Sequence, residues 1–214
     1  MDLKKIVDKV KKEAEVLQGE ATKDKLYQQE YTYPDEATAQ QEFEEAKRKL
    51  FDINLWSKLE GINSTFLLYD QRGRRTTAKM PEVGYYFKII LPVSKIENWV
   101  RITEINIQDN MAEFVVHPSE KPTERADHEH VIEHFFIKEA SSTFRVERKG
   151  STLIGSEIGK NEGINNKGEE AGDRALLNTL TAEGGWAGVQ ELQWDKLVSY
   201  FVHPDETQHL KTEE

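Results

Sequence analysis

Residues 46–61, AKRKLFDINLWSKLEG, hold the junction on which the fold depends. Phe43, Ala46 and Leu50 share one face of a helix. Leu55, Trp56 and Leu59 resume the helical spacing after Asp52, in a second short helix that stops at Gly61. Two helices therefore follow each other with almost no linker. Upstream, LYQQEYTY over 26–33 reads as a short strand by its aromatic, partly alternating character. Pro34-Asp35-Glu36 ends it and offers Asp35 as a helix N-cap.

Downstream the period changes from helical to two. Phe66-Leu-Leu-Tyr69, a turn over Asp70 to Arg75, and Tyr85 to Leu91 closed by Pro92 form one pair of strands. Trp99, Val100 and Ile102 continue into Ile105 and Ile107 with a switch of parity, which a β-bulge near Thr103-Glu104 explains. Asp109-Asn110 turns the chain into Ala112, Phe114 and Val116. After a polar loop from Pro118 to Asp127, Phe144 and Val146, the Lys149-Gly150 turn, and Thr152, Ile154 and Ile158 form the clearest hairpin. Gly159 to Gly168 reads as a loop and Ala175, Leu177 and Leu180 as a short helix. A break at Gly184-Gly185 precedes a last amphipathic helix through Trp194, Leu197, Val198 and Phe201.

The whole chain of 214 residues carries 29 Lys plus Arg against 39 Asp plus Glu, a net charge of −10 that repels phosphate backbones and anionic membranes. Neither nucleic acid nor a membrane is an expected partner. No apolar run approaches membrane-spanning length. With zero cysteines there is no disulfide, thiolate ligand or cysteine nucleophile, which does not by itself fix the compartment. The N-terminal stretch MDLKKIVDKVKKEAEV lacks the continuous apolar run of a secretory signal, and the chain is expected in the cytoplasm. Leu3, Val7, Val10 and Leu17 set a narrow apolar seam along an N-terminal helix over 1–18, suited to the protein's own sheet, a protein partner or a homodimer. The expected organisation is that helix, one α+β domain over 26–203, and a flexible acidic tail over 204–214.

Strand, two helices, about six or seven antiparallel strands and a long C-terminal helix: this order resembles the helix-grip fold of the START-like superfamily, which includes lipid-transfer and polyketide-cyclase-like proteins. The residues that carry the resemblance are 46–61 with their tryptophan, Phe66 to Asp70, and Trp194 to Phe201. The N-terminal helix and the segment Ala175 to Gly188 depart from the pattern. The resemblance implies a curved antiparallel sheet gripping the last helix, with a cleft that often holds an apolar ligand. Phe66, Tyr86, Phe114, Phe144 and Trp194 are the candidate inward residues, either lining such a cleft or filling it.

HEHVIEH over 128–134 contains H-x-x-E-H, in which His130 and His134 would bind Zn²⁺ from one helix face and the glutamate would act as base. The β-branched and aromatic residues that follow favour a strand, which would send Glu133 to the other face. Glu139, Glu157 and Glu162 could serve as acid or base beside His134 if the fold gathers them. Ser141-Ser-Thr143 lacks a nucleophile elbow, and Arg72-Gly-Arg-Arg75 reads as a solvated hairpin tip. No motif calls for a cofactor. The expected function is a non-catalytic binding protein that holds an apolar or amphipathic small molecule in the sheet and helix cleft, or contacts a protein. The alternative is a hydrolase or cyclase-like enzyme using His134 and a glutamate, with or without zinc.

Overall fold

The computed structural model describes residues 22–91, 97–122, 132, 134–165 and 186–205, with side chains from residue 193 in the last helix. The expected N-terminal helix with its Leu3 to Leu17 seam, the helix at Ala175, His128, His130 and the acidic tail after residue 205 lie outside the described residues.

In chain order the elements are β1 (Lys23–Thr32), α1 (Glu36–Phe51), α2 (Ile53–Trp56), β2 (Thr65–Tyr69), β3 (Tyr86–Ile90), β4 (Glu97–Gln108), β5 (Met111–Pro118), β6 (Ser141–Lys149), β7 (Thr152–Glu162) and α3 (Trp186–Val202). The seven strands form one open antiparallel sheet in the order β1-β7-β6-β5-β4-β3-β2. Helices α1 and α3 pack on the same face, α1 against β6 and β7 and α3 against β1 and β7. This is the expected α+β grip, closed at one end by the first strand pairing with the last.

Local chemistry explains the element ends. The Asp35 carboxylate accepts the Thr38 N–H at 2.7 Å, capping α1. Asp52 breaks the helix, and α2 is one turn long rather than reaching Gly61. That turn covers an edge of the sheet. Ser57 Oγ accepts the Phe66 N–H at 2.7 Å and Asn54 Oδ1 accepts the Leu68 N–H at 3.3 Å, which satisfies donors that an edge strand otherwise leaves open. The register between β4 and β5 shifts between Ile102 and Glu104, the place that the parity switch indicates. β7 runs on to Glu162 instead of dissolving into a loop at Gly159, because Lys23 and Lys25 of a longer β1 pair with Glu162 and Gly159.

Trp56 sits at the centre of the core, fully buried. Its ring lies within 6.2 Å of those of Phe66, Phe87, Phe114, Phe144 and Phe201, and its Nε1–H donates to the Lys49 carbonyl at 3.0 Å. The indole is thus fixed to its own helix pair while it touches four strands and α3. The C-terminal end of α3 is pinned separately. Tyr33 Oη donates to the Val202 carbonyl at 2.9 Å and the buried Lys49 Nζ donates to the His203 carbonyl at 3.1 Å, supplying partners for carbonyls that a helix end leaves unpaired.

The approach of α3 to the sheet depends on Gly155, where an added Cβ would lie 2.5 Å from the Val198 carbonyl oxygen. Gly155→Ala is expected to destabilise the fold by about 1–3 kcal/mol through overpacking, and Trp56→Ala by about 3–5 kcal/mol through the cavity it leaves. Urea unfolding of both variants, followed by far-UV circular dichroism, measures these costs.

Candidate functional site

The aromatic core does not fill the grip completely. Beside Phe144 and Trp194 a cavity remains between the inner face of β3 to β6, the segment His134 to Ala140, and α3. Its walls are mainly apolar, with Ile89, Leu91, Val100, Val116 and Pro118 among them, and its polar groups are Asn98, His134, Ser141 and Ser142. The volume is about 40 Å³. On the measure by which one water needs ~10–15 Å³, that is room for roughly three waters or a small carbon ring.

Strand parity decides which side chains reach it. Along β4, Asn98, Val100 and Ile102 face inward, and along β6 the inward set is Ser142, Phe144 and Val146. Of the five aromatic candidates, Phe144 and Trp194 line the cavity. Phe66 and Phe114 are fully buried behind it in the ring cluster around Trp56. Tyr86 is a correction. On β3 the buried positions are Phe87 and Ile89, so Tyr86 points to the opposite face, where the Arg101 guanidinium lies 5.6 Å from its ring centre. The run Tyr85 to Leu91 offers aromatic or aliphatic side chains at both parities, with Lys88 as the exception, and Phe87 takes the inward place expected of Tyr86.

His134 lies in a bend, neither helix nor strand, and β6 begins only at Ser141. Phe136 makes an isolated bridge to Ile164. Asn98 Oδ1 accepts the Phe135 N–H at 2.8 Å, and Asn165 Nδ2 donates to the carbonyls of Ile132 and His134. This network anchors the segment over the cavity. His134 is buried, and its Nδ1 accepts the Phe136 N–H at 2.9 Å. That bond occupies the Nδ1 lone pair, which is then not available to a metal. Among the described residues no group of three or more His, Asp or Glu is placed to hold a metal ion.

Of the three glutamates considered beside His134, Glu139 is exposed, while Glu157 and Glu162 are buried. Glu157 sits on the inner face of β7, paired with Phe144 on β6 and Tyr27 on β1. Among the described residues neither of its carboxyl oxygens has a hydrogen-bond partner, although the Ser142 hydroxyl is near enough to influence it. Burial first, and then the charge of Glu162, push Glu157 up to about 8, against weaker opposing effects of Ser142 and Lys25. Lys25 Nζ lies 3.8 Å from Glu162 Oε2, and the Glu162 carboxylate lies over Gly159, where a side chain would collide with it. The structure thus brings Glu157, Glu162, Ser142 and Lys25 together and leaves Glu139 apart. The remaining polar motifs are accounted for locally. Arg74 forks onto Asp70 within the hairpin tip, at 2.9 and 2.7 Å, and Arg145 pairs with Glu113 across the strands at 2.6 Å.

The fold and cavity define an α+β protein, a seven-stranded open antiparallel sheet packed on a C-terminal helix. Its sequence matches no family model and no curated protein. Among solved structures it is similar to a hypothetical protein from Helicobacter pylori, with a TM-score of 0.50 and 14% identity over 87% of this chain and 92% of that one. It is more loosely similar to a Mycobacterium smegmatis protein, with a TM-score of 0.40 and 10% identity over 85% and 92% of the two chains. Ginseng major latex-like protein 151 from Panax ginseng matches with a TM-score of 0.38 and 13% identity over 87% and 98%. The first likeness shows a shared fold. No described helix is long and apolar enough to cross a membrane.

Glu157 makes stability depend on pH. Its carboxyl in the folded chain holds a proton between its ordinary value of 4.5 and about 8, whereas the unfolded chain has released it. The folded state then binds more protons, so stability falls as pH rises through that window, by up to about 1.4 kcal/mol per pH unit. Glu157→Gln is expected to abolish this slope, leaving stability near pH 5 almost unchanged and raising it relative to wild type at pH 9. Urea midpoints across that range measure it.

Proposed function

We propose that the chain is a non-catalytic binding protein that holds a compact apolar or amphipathic small molecule in the cavity beside Phe144 and Trp194. The observation that carries this reading is the space itself. A core in which Trp56 and its phenylalanine neighbours pack ring against ring leaves a mainly apolar gap bordered by a few polar groups, the common composition of a small-molecule site. Phe144 and Trp194 contact the ligand, and Phe66 and Phe114 support them from behind. The size favours a small ring or short chain over a long lipid. His134 serves as a wall and anchor of the site, because its Nδ1 is already engaged. That bond, with Glu139 apart, disfavours the hydrolase or cyclase reading. The lack of cysteine and the charge of −10 suit a cytoplasmic setting. A contact with a protein partner or second copy through Leu3, Val7, Val10 and Leu17 rests on their sequence spacing alone.

Ala140 is buried in the cavity wall, so Ala140→Leu fills the space from one side. Titration of the wild type with toluene, followed by tryptophan fluorescence and ligand-detected NMR, is expected to show saturable binding that Ala140→Leu weakens at least tenfold while the circular dichroism spectrum is retained. Equal binding by a folded Ala140→Leu variant would place any ligand elsewhere.

A further inference from the structure

Several buried polar groups around Phe144 have more hydrogen-bonding capacity than the protein uses. Trp194 lines the cavity, is 5% exposed, and its Nε1–H meets no acceptor among the described residues. Its ring stands edge-on to Phe144, with centroids 5.4 Å apart. On the strand side of the same phenylalanine, Ser142 lines the cavity, and Glu157 lies directly across from Phe144 with both oxygens unsatisfied among the described residues. A buried donor without a partner is unfavourable, and the Trp194 Nε1–H beside an apolar gap, with the Ser142 hydroxyl also lining it, points to an absent acceptor.

We infer that the cavity takes a small neutral carbonyl compound, whose oxygen accepts hydrogen bonds from Trp194 Nε1–H and the Ser142 hydroxyl, with Glu157 as the positioning residue behind Ser142. This deepens the binding reading above and rests on it. The protonated Glu157 carboxyl donates towards Ser142 Oγ, which leaves the serine's own proton for the ligand. An ionised Glu157 instead takes that proton and withdraws the donor. The groups that face Glu157 fit this arrangement. Glu162 on the same strand repels a negative charge there, and Lys25 on β1 is spent on Glu162. Tyr27 is the cross-strand neighbour on β1, β6 presents only Ser142, Phe144 and Val146 inward, and Asp195 of α3 is bonded to Gln29. Burial holds Glu157 protonated up to about pH 8, so the hydroxyl stays available at neutral pH. The apolar walls set the rest of the ligand, a carbon ring or chain of a few atoms.

Three probes of similar size separate the readings: cyclopentanone, its hydrocarbon isostere methylenecyclopentane, and cyclopentylamine, each titrated into the full chain and followed by ligand-detected NMR. At pH 6.5 the ketone is expected to bind roughly tenfold more tightly than the hydrocarbon, the worth of one or two buried hydrogen bonds. Trp194→Phe and Ser142→Ala should each erase most of that preference while still binding the hydrocarbon, which shows that they remain folded. Between pH 6.5 and 9.5 the wild type should lose its preference for the ketone, whereas Glu157→Gln, which cannot ionise, should keep an unchanged ratio across the range. Equal binding of ketone and hydrocarbon would overturn this inference and leave the apolar site standing. Preferential binding of the amine would overturn it in favour of a carboxylate that receives a cation. No binding of any probe would overturn the binding reading itself.

Discussion

Everything in this fold is arranged around one indole. Trp56 enters the core from a helix of a single turn, yet it touches rings from β2, β3, β5, β6 and α3. Its Nε1–H is satisfied by the carbonyl of Lys49 at the end of α1, so the ring is oriented by its own helix pair before the sheet closes on it. A buried aromatic of that size dominates local packing. It fixes the distance between helix layer and sheet, and it decides where space is filled and where it is left. The cavity lies beyond its reach, on the far side of Phe144.

The edges obey the same economy of structure. α2 is too short to be stable alone, but its Asn54 and Ser57 side chains complete the hydrogen bonding of β2, so the turn that delivers Trp56 also protects the sheet from pairing with another chain. On the opposite side, the bare backbone of Gly155 lets α3 lie against β7, and Tyr33 and Lys49 hold its last carbonyls. Removing side-chain bulk at one position and adding polar anchors at two others achieves what a longer apolar stripe on α3 would otherwise have to do.

The succession of elements along the chain, the bulge at Ile102 to Glu104 and the Asp35 cap were legible because each leaves a local mark: a period of two, a parity switch, a carboxylate three residues before the amide it binds. The inward face of β3 was not, since Tyr86 and Phe87 are equally plausible core residues until Val100 on the paired strand fixes the side. The site was read less well. HEHVIEH drew attention by composition, yet its described histidine is an anchored wall residue. Glu157 stood out only as one of three glutamates considered beside His134, with nothing to mark it as buried. The available signal was its setting, Leu153, Gly155, Glu157 and Gly159 on one face of β7, where two flanking glycines mark close approaches, of α3 at Gly155 and of Glu162 at Gly159, that a solvent-facing strand would not need. That a carboxyl would be wholly buried there depends on β1 and α3, which come from the two ends of the described chain and carry no local trace in β7.

The pairing of β1 with β7 also has a consequence for how the chain is made. Thr32 and Thr152 share a hydrogen bond although 120 residues separate them. At synthesis rates of 5–20 residues per second, β1 waits on the order of ten seconds for its partner. During that interval it is a lone strand, unable to be stable by itself. Its alternation of half-buried with exposed positions keeps one side mainly polar throughout the wait, with Asp24, Gln28, Glu30 and Thr32 beside one apolar residue, Leu26. Of the seven described strands, the one earliest in sequence is thus among the last to be secured, and its polar pattern suits the nascent chain as much as the finished fold.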